Sequence, residues 1–409
     1  MVRTGDPGAG ISAPLRHAPF RGLVAGRTLM AVGNGMASVA LAFAVLDVTG
    51  SLTQVGLVVG ARSVANVALL LLGGVIADRL PRVLVLQGGC VLAALSQGFL
   101  ALTLLTGTAS LPLMIALSLL NGAAAAVNMP ASAALTPQTV PGDLLRQANA
   151  VAGMGVRGGL FLGMSVGGLV VGLIGAGWAI GVDAALFACA GAAFVFVRVP
   201  VTVRNGAEPG SLLRDLRDGW GEFTSRPWVW IIVLQFTVVN AGWSSATSVL
   251  GPGIADETFG RAAWGLLMAA NSAGLLLGGL FAARWQPHRA LFFGTALVAV
   301  QTAPFFALAG PSPLPVLFAA MFVAGIAVEQ FTVAWEVSLQ ENVPQERLSR
   351  VYSYDALGSF MAMPIGQIAI GPVAEAIGAG RSLVLVASLT LLATLAAVCS
   401  ASVRSVRRR

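Results

Sequence analysis

The chain has 409 residues, 56% hydrophobic and only 10% charged, and its net charge of +7 rests on arginine alone, with no lysine. A soluble domain carries roughly 25% charged residues, so a soluble fold of this length would lack the charge to cover its surface. The arginines sit in short breaks between apolar runs instead of on one hydrophilic face, which excludes a nucleic-acid partner.

The runs themselves are about 20 to 25 residues long, enough to cross roughly 30 Å of hydrocarbon as helix. Residues 1–19 are rich in Gly, Ala and Pro and have no apolar core of signal-peptide length, so the first run should stay in the membrane as helix 1. Spans are predicted at 22–46, 54–77, 83–106, 112–135, 150–174 and 178–199, then at 228–250, 263–283, 290–310, 314–337, 353–377 and 381–403. The fold class expected is an all-α membrane protein of about twelve transmembrane helices in two six-helix pseudo-repeats. Its parts are an N-terminal bundle (1–199), a cytoplasmic linker (200–227) and a C-terminal bundle (228–409). Within the linker, Leu212, Leu213, Leu216, Trp220 and Phe223 share one helical face while Arg214, Asp215, Arg217 and Asp218 take the other. That pattern suits a helix lying on the inner membrane surface.

Orientation follows from the arginines. With the N-terminus inside, nineteen fall in inner segments, two (Arg261, Arg381) in outer ones and three (Arg27, Arg62, Arg157) inside spans. This bias predicts a multi-pass protein of the inner or plasma membrane with both termini cytoplasmic. The halves echo each other: Val140-Pro141 with Leu145 matches Val343-Pro344 with Leu348, and Gly74 with Arg79 matches Gly279 with Arg284.

The break after span two reads Gly74-Val-Ile-Ala-Asp78-Arg79-Leu-Pro81-Arg82. It resembles the loop signature of the major facilitator superfamily, with Pro81 in place of the second glycine. The Pro variant is similar to the branch holding macrolide and siderophore exporters, as are Pro130 to Pro137, Val140-Pro141, Ala148-Asn149-Ala150 and Val343 to Val351. The resemblance implies a gate at the cytoplasmic side built on Asp78, with Arg79 and Arg82 beside it. An acid set against a helix N-terminus is stabilised by the helix dipole. In span five, Gly155, Gly159, Gly163 and Gly167 recur every four residues, followed by Gly168. Such a stripe lets a neighbouring helix approach closely. The stretch Gly159 to Gly168 also resembles the antiporter signature of this superfamily, with Met164 where proline is usual.

Charges inside spans need water or a partner. Arg27 sits near the inner end of helix 1 and can snorkel to the interface, a structural role. Arg62 and Arg157 cannot shed their protons and are expected to face water, an acid or an anionic solute. Candidate acids are Asp183, Glu329, Glu336 and Asp355, with Glu329 the deepest and so the first choice as proton carrier. Asn34, Asn240, Trp243 and Trp335 are further candidates for coupling or solute contact. Cys90, Cys189 and Cys399 lie in apolar runs, and His17 and His288 form no metal cluster. No phosphate-binding loop is present, so no cofactor is expected and a proton gradient is the energy source.

The function expected is secondary active transport, with proton-coupled efflux of an amphipathic drug or natural product ahead. Proton-coupled nutrient uptake and a non-transporting membrane sensor stay open; an enzyme has no support. The expected partners are the lipid bilayer, a small-molecule solute and protons, and the expected state is a monomer. A reporter active only in cytoplasm should work when fused at Gly206 or after Arg409 and fail at Ser51 or Asp256; activity at Asp256 would refute the twelve-span topology.

Overall fold

A computed structural model describes residues 12–199, 220–221, 223–284 and 287–406, apart from the side chains of 70–79, 129, 130, 133, 134, 283, 345, 346, 349, 350 and 353. Among the described residues twelve helices are long and apolar enough to cross a membrane. The first six are α1 (Ala18–Thr49), α2 (Leu52–Arg79), α3 (Arg82–Leu105), α4 (Leu111–Thr139), α5 (Leu145–Ile174) and α6 (Ala176–Phe194). The rest are α7 (Pro227–Glu257), α8 (Arg261–Arg284), α9 (Ala290–Leu308), α10 (Leu314–Asn342), α11 (Gln345–Phe360 and Ala362–Ile377) and α12 (Ala379–Cys399). Contacts divide the chain into two units, Met1–Val48 with Ala61–Asn205, and Thr49–Gly60 with Gly206–Arg409.

In the first unit α3 runs along α4 and α6. Leu86, Cys90, Leu135 and Phe194 lie fully buried there with Leu23 of α1. Glycine decides how close α1 comes to its neighbours. A Cβ on Gly159 of α5 would stand 2.8 Å from the Thr28 carbonyl oxygen, and one on Gly167 2.8 Å from the Met36 Cα. Between them, Gly163 meets the Val32 carbonyl with no space for any side chain. On the other flank, Gly22 and Gly26 of α1 accept Ala193, Phe194 and Phe196. The stripe read from the sequence is therefore the seam between α5 and α1.

In the second unit α8 and α10 pack by the same device, Gly274 and Gly278 of α8 meeting Phe322 and Ile326, and Gly325 of α10 meeting Asn271. The unit also takes in the first turns of α2. There the Glu375 Oε1 accepts hydrogen bonds from Ser51 Oγ (2.7 Å) and the Thr53 amide (3.2 Å), so a carboxylate of α11 caps α2. Three helices depart from α geometry, each beside a proline that removes a backbone donor. In α7 a π turn at Ala246–Leu250 precedes Gly251-Pro252. In α9 a 3-10 turn at Val298–Gln301 precedes Pro304, and α11 breaks at Met361 ahead of Pro364.

The pseudo-repeat is visible in turn geometry. Gly175 between α5 and α6 has φ 97°, and Gly378 between α11 and α12 has φ 91°, a left-handed region that suits glycine. Most of the linker predicted at 200–227, with its amphipathic helix, lies outside the described residues. Trp220 and Phe223 are described, 5.7 Å apart, and both pack against Tyr354 of α11, Trp220 edge-on at 5.6 Å and Phe223 tilted at 5.7 Å.

Replacing Gly163 by Leu should abolish folding or transport, because the α1 backbone must move by more than an ångström to admit it. Leu162→Ala, at a position 50% exposed, should be near neutral. Yield of folded protein and transport rate check both; equal tolerance would mean the seam is not required.

Candidate functional site

The polar residues of the first unit converge on one cavity of about 420 Å³ between α1, α2, α4 and α5. Its wall carries Arg27 and Asn34 of α1, Arg62 and Asn66 of α2, and Asn121, Asn128 and Ser132 of α4, set among apolar groups such as Met30, Leu160 and Phe187. Each helix delivers its pair by helical spacing, since residues four or seven apart share a face: Arg62 with Asn66, Arg27 with Asn34, Asn121 with Asn128.

The hydrogen bonds fix the two arginines differently. Asn34 donates its Nδ2 to the Met30 carbonyl (2.9 Å), which turns its oxygen to accept from Arg62 Nη2 at 2.8 Å. Arg27 Nη1 donates to Thr136 Oγ1 at 3.2 Å. Arg27 therefore ties α1 to the C-terminal end of α4 while lining the cavity. Behind this wall lies Asp183 of α6, fully buried. Gln97 of α3 donates to its Oδ2 at 2.6 Å, while its Oδ1 has no hydrogen-bond partner and faces Gly33, where a Cβ would stand 2.5 Å away. Arg62 acts on Asp183 through space, without an ion pair. Gly33 is thus the gap through which α1 admits the carboxylate next to the residue that orients Arg62.

Asn121 Nδ2 and Asn128 Oδ1 also have no hydrogen-bond partner, although these residues are only 3% and 2% exposed. Gly89 of α3 makes the room for the Asn128 carboxamide. The site therefore offers two cations, each held by a hydrogen bond, around a space of ligand-subsite size.

Not every candidate gathers here. Of the predicted set, the structure brings together Arg62, Asn34 and Asp183. Arg157 is exposed on α5. Glu329 of α10 is 6% exposed, seated where Gly278 of α8 leaves room, in the second unit. Asn240 donates to the Ser359 carbonyl at 3.0 Å and so ties α7 to α11. Trp243 packs on Phe305 at 5.6 Å. Trp335 stacks on Phe331 at 6.2 Å and donates Nε1 to Asp355 Oδ2 at 2.9 Å. Gly74, Asp78 and Arg79 occupy the last turns of α2, and their side chains lie outside the described residues; Arg82 begins α3. Sequence reasoning missed Asn121, Asn128 and Gln97 as a set. The available signal was a polar residue recurring at a seven-residue step within an apolar run.

This architecture, two glycine-seamed helical units with a polar cavity in hydrocarbon, has known counterparts. The family profile described as Major Facilitator Superfamily matches residues 23–366. The chain belongs to the major facilitator superfamily. It is 29% identical over 398 residues to the enterobactin exporter EntS of Escherichia coli O1:K1, covering 92% of each chain. Among solved structures it is similar to the nucleoside transporter NupG, with 17% identity, a TM-score of 0.76 and coverage of 93% of this chain and 98% of that one. A bacterial homologue of the lysosomal transporter Spinster gives 16% identity, a TM-score of 0.77 and 98% coverage of each chain. These likenesses establish a multi-pass membrane transporter and not an enzyme.

Gln97→Leu should destabilise the first unit by about 2–3 kcal/mol, since it leaves a buried carboxylate with no hydrogen-bond donor. A drop in the apparent Tm of the purified protein checks this; an unchanged Tm would mean that Asp183 does not depend on Gln97.

Proposed function

We propose that the protein exports an amphipathic small molecule, a drug or natural product of the siderophore kind, in exchange for protons. The observation that carries this reading is the similarity to an enterobactin exporter along 92% of both chains. The glycine motif Gly159, Gly163, Gly167 and Gly168 agrees with it, because its sequence resembles the antiporter signature and its first three glycines pack on α1. By resemblance, Asp78, Arg79 and Arg82 form the inner gate; the arginine bias puts both termini in the cytoplasm, and the working unit is a monomer.

Proton coupling needs an acid that can be ionised in one access state and neutral in another. The sequence favours Glu329. The geometry gives stronger support to Asp183, because it is fully buried, keeps one oxygen free to take a proton, and senses Arg62 across Gly33. Arg62 and Asp183 interact through space, so a change in the charge of Asp183 alters the field at the guanidinium that lines the cavity. Glu329 is the second acid of the same kind, in the other unit.

Accumulation of a panel of dyes and antibiotics in cells with and without the protein tests the reading. Accumulation should fall only in cells with the protein, and a protonophore should restore it; higher accumulation would indicate uptake. Asp183→Asn should lower gradient-driven export by about tenfold or more while retaining solute exchange without a gradient. Loss in Glu329→Gln with Asp183→Asn unaffected would move the carrier role to Glu329.

A further inference from the structure

We infer that the cavity of the first unit receives an acidic group of the solute, a carboxylate or phenolate. This deepens the export reading and rests on it for the claim that a solute enters this unit.

Charge is the first argument. Two guanidinium groups, Arg27 and Arg62, stand in the wall, and no carboxylate is among the lining residues. Arginine stays protonated whatever its surroundings, and a charge at this depth demands compensation. Asp183 supplies at most one negative charge, from behind α1 and already hydrogen-bonded to Gln97. At least one positive charge is left facing the cavity.

The second argument is preorganisation. An anionic oxygen in the cavity can accept from the guanidinium groups of Arg27 and Arg62, which line it together with Asn121. Asn34 holds the Arg62 head at 2.8 Å, so the cation is positioned before the solute arrives. About 420 Å³ suits one such acidic ring, either free or as the head of a larger solute.

Salicylate and salicylamide match in shape and differ in charge. Equilibrium dialysis of each against the purified full-length protein in nanodiscs, with empty nanodiscs as blank, tests the assignment. Salicylate should bind at least about tenfold more tightly than salicylamide. Arg62→Gln should remove that preference, whereas Arg62→Lys, which retains the charge, should keep part of it. Asn121→Asp puts a negative charge in the wall and should reverse the preference in a protein of near-normal Tm. Equal affinity for the two probes, no salicylate binding at millimolar concentration, or an unaltered preference in Asn121→Asp would overturn the inference. Binding is read without a gradient, so a protein that selects salicylate but accumulates its substrate in cells refutes export and leaves the cavity assignment standing. Export without salicylate selectivity does the reverse.

Discussion

At the seam between α5 and α1 the Val32 carbonyl rests against Gly163, and nothing larger than hydrogen fits. That contact locates α1, and with α1 it locates the polar apparatus of the first unit. The face of α1 opposite its neighbours' glycines carries Arg27 and Asn34 into the cavity, and the gap at Gly33 lets Asp183 reach the same level. In hydrocarbon no hydrophobic driving force distinguishes a helix partner from a lipid tail. Close backbone approach has to supply the specificity, and any side chain in the seam would displace both the guanidinium and the carboxylate.

In both units amides join neighbouring helices. In the second unit Asn240 reaches Ser359, Asn271 reaches Met321, Gln330 reaches Gly278 and Gln235 reaches Thr394. In the first unit Asn34 of α1 orients Arg62 of α2 and Gln97 of α3 holds Asp183 of α6. Such bonds rigidify a membrane helix pair, and buried amide atoms without a partner occur in both units, on Asn121 and Asn128 in the first and on Gln235, Gln301 and Gln367 in the second.

Most of the fold was legible in the sequence because its signals are long. A run of apolar residues, an arginine bias and a four-residue glycine step survive averaging over many positions. The site was legible only in part. Arg62, Asn34 and Asp183 stood out as polar residues in apolar runs, but nothing local says that they share a level across three helices. Depth alone pointed to Glu329, since counting along one helix measures distance from the surface and not proximity to other groups. Asn121 and Asn128 escaped as a pair because their grouping with Arg62 and Asn34 depends on how α4 packs on α1 and α2.

The π turn at Ala246–Leu250 has its own implication for how α7 tolerates change. A π turn holds one residue more than the α-helix it interrupts. Removing a residue there would restore regular winding and leave the turns on either side close to their present phase. Gly251, which nests the ring of the fully buried Trp264, would keep that contact, as the Asn240 and Trp243 side of α7 would keep α11 and α9. The π turn is thus a place where α7 can lose a residue without turning one of its ends against the other.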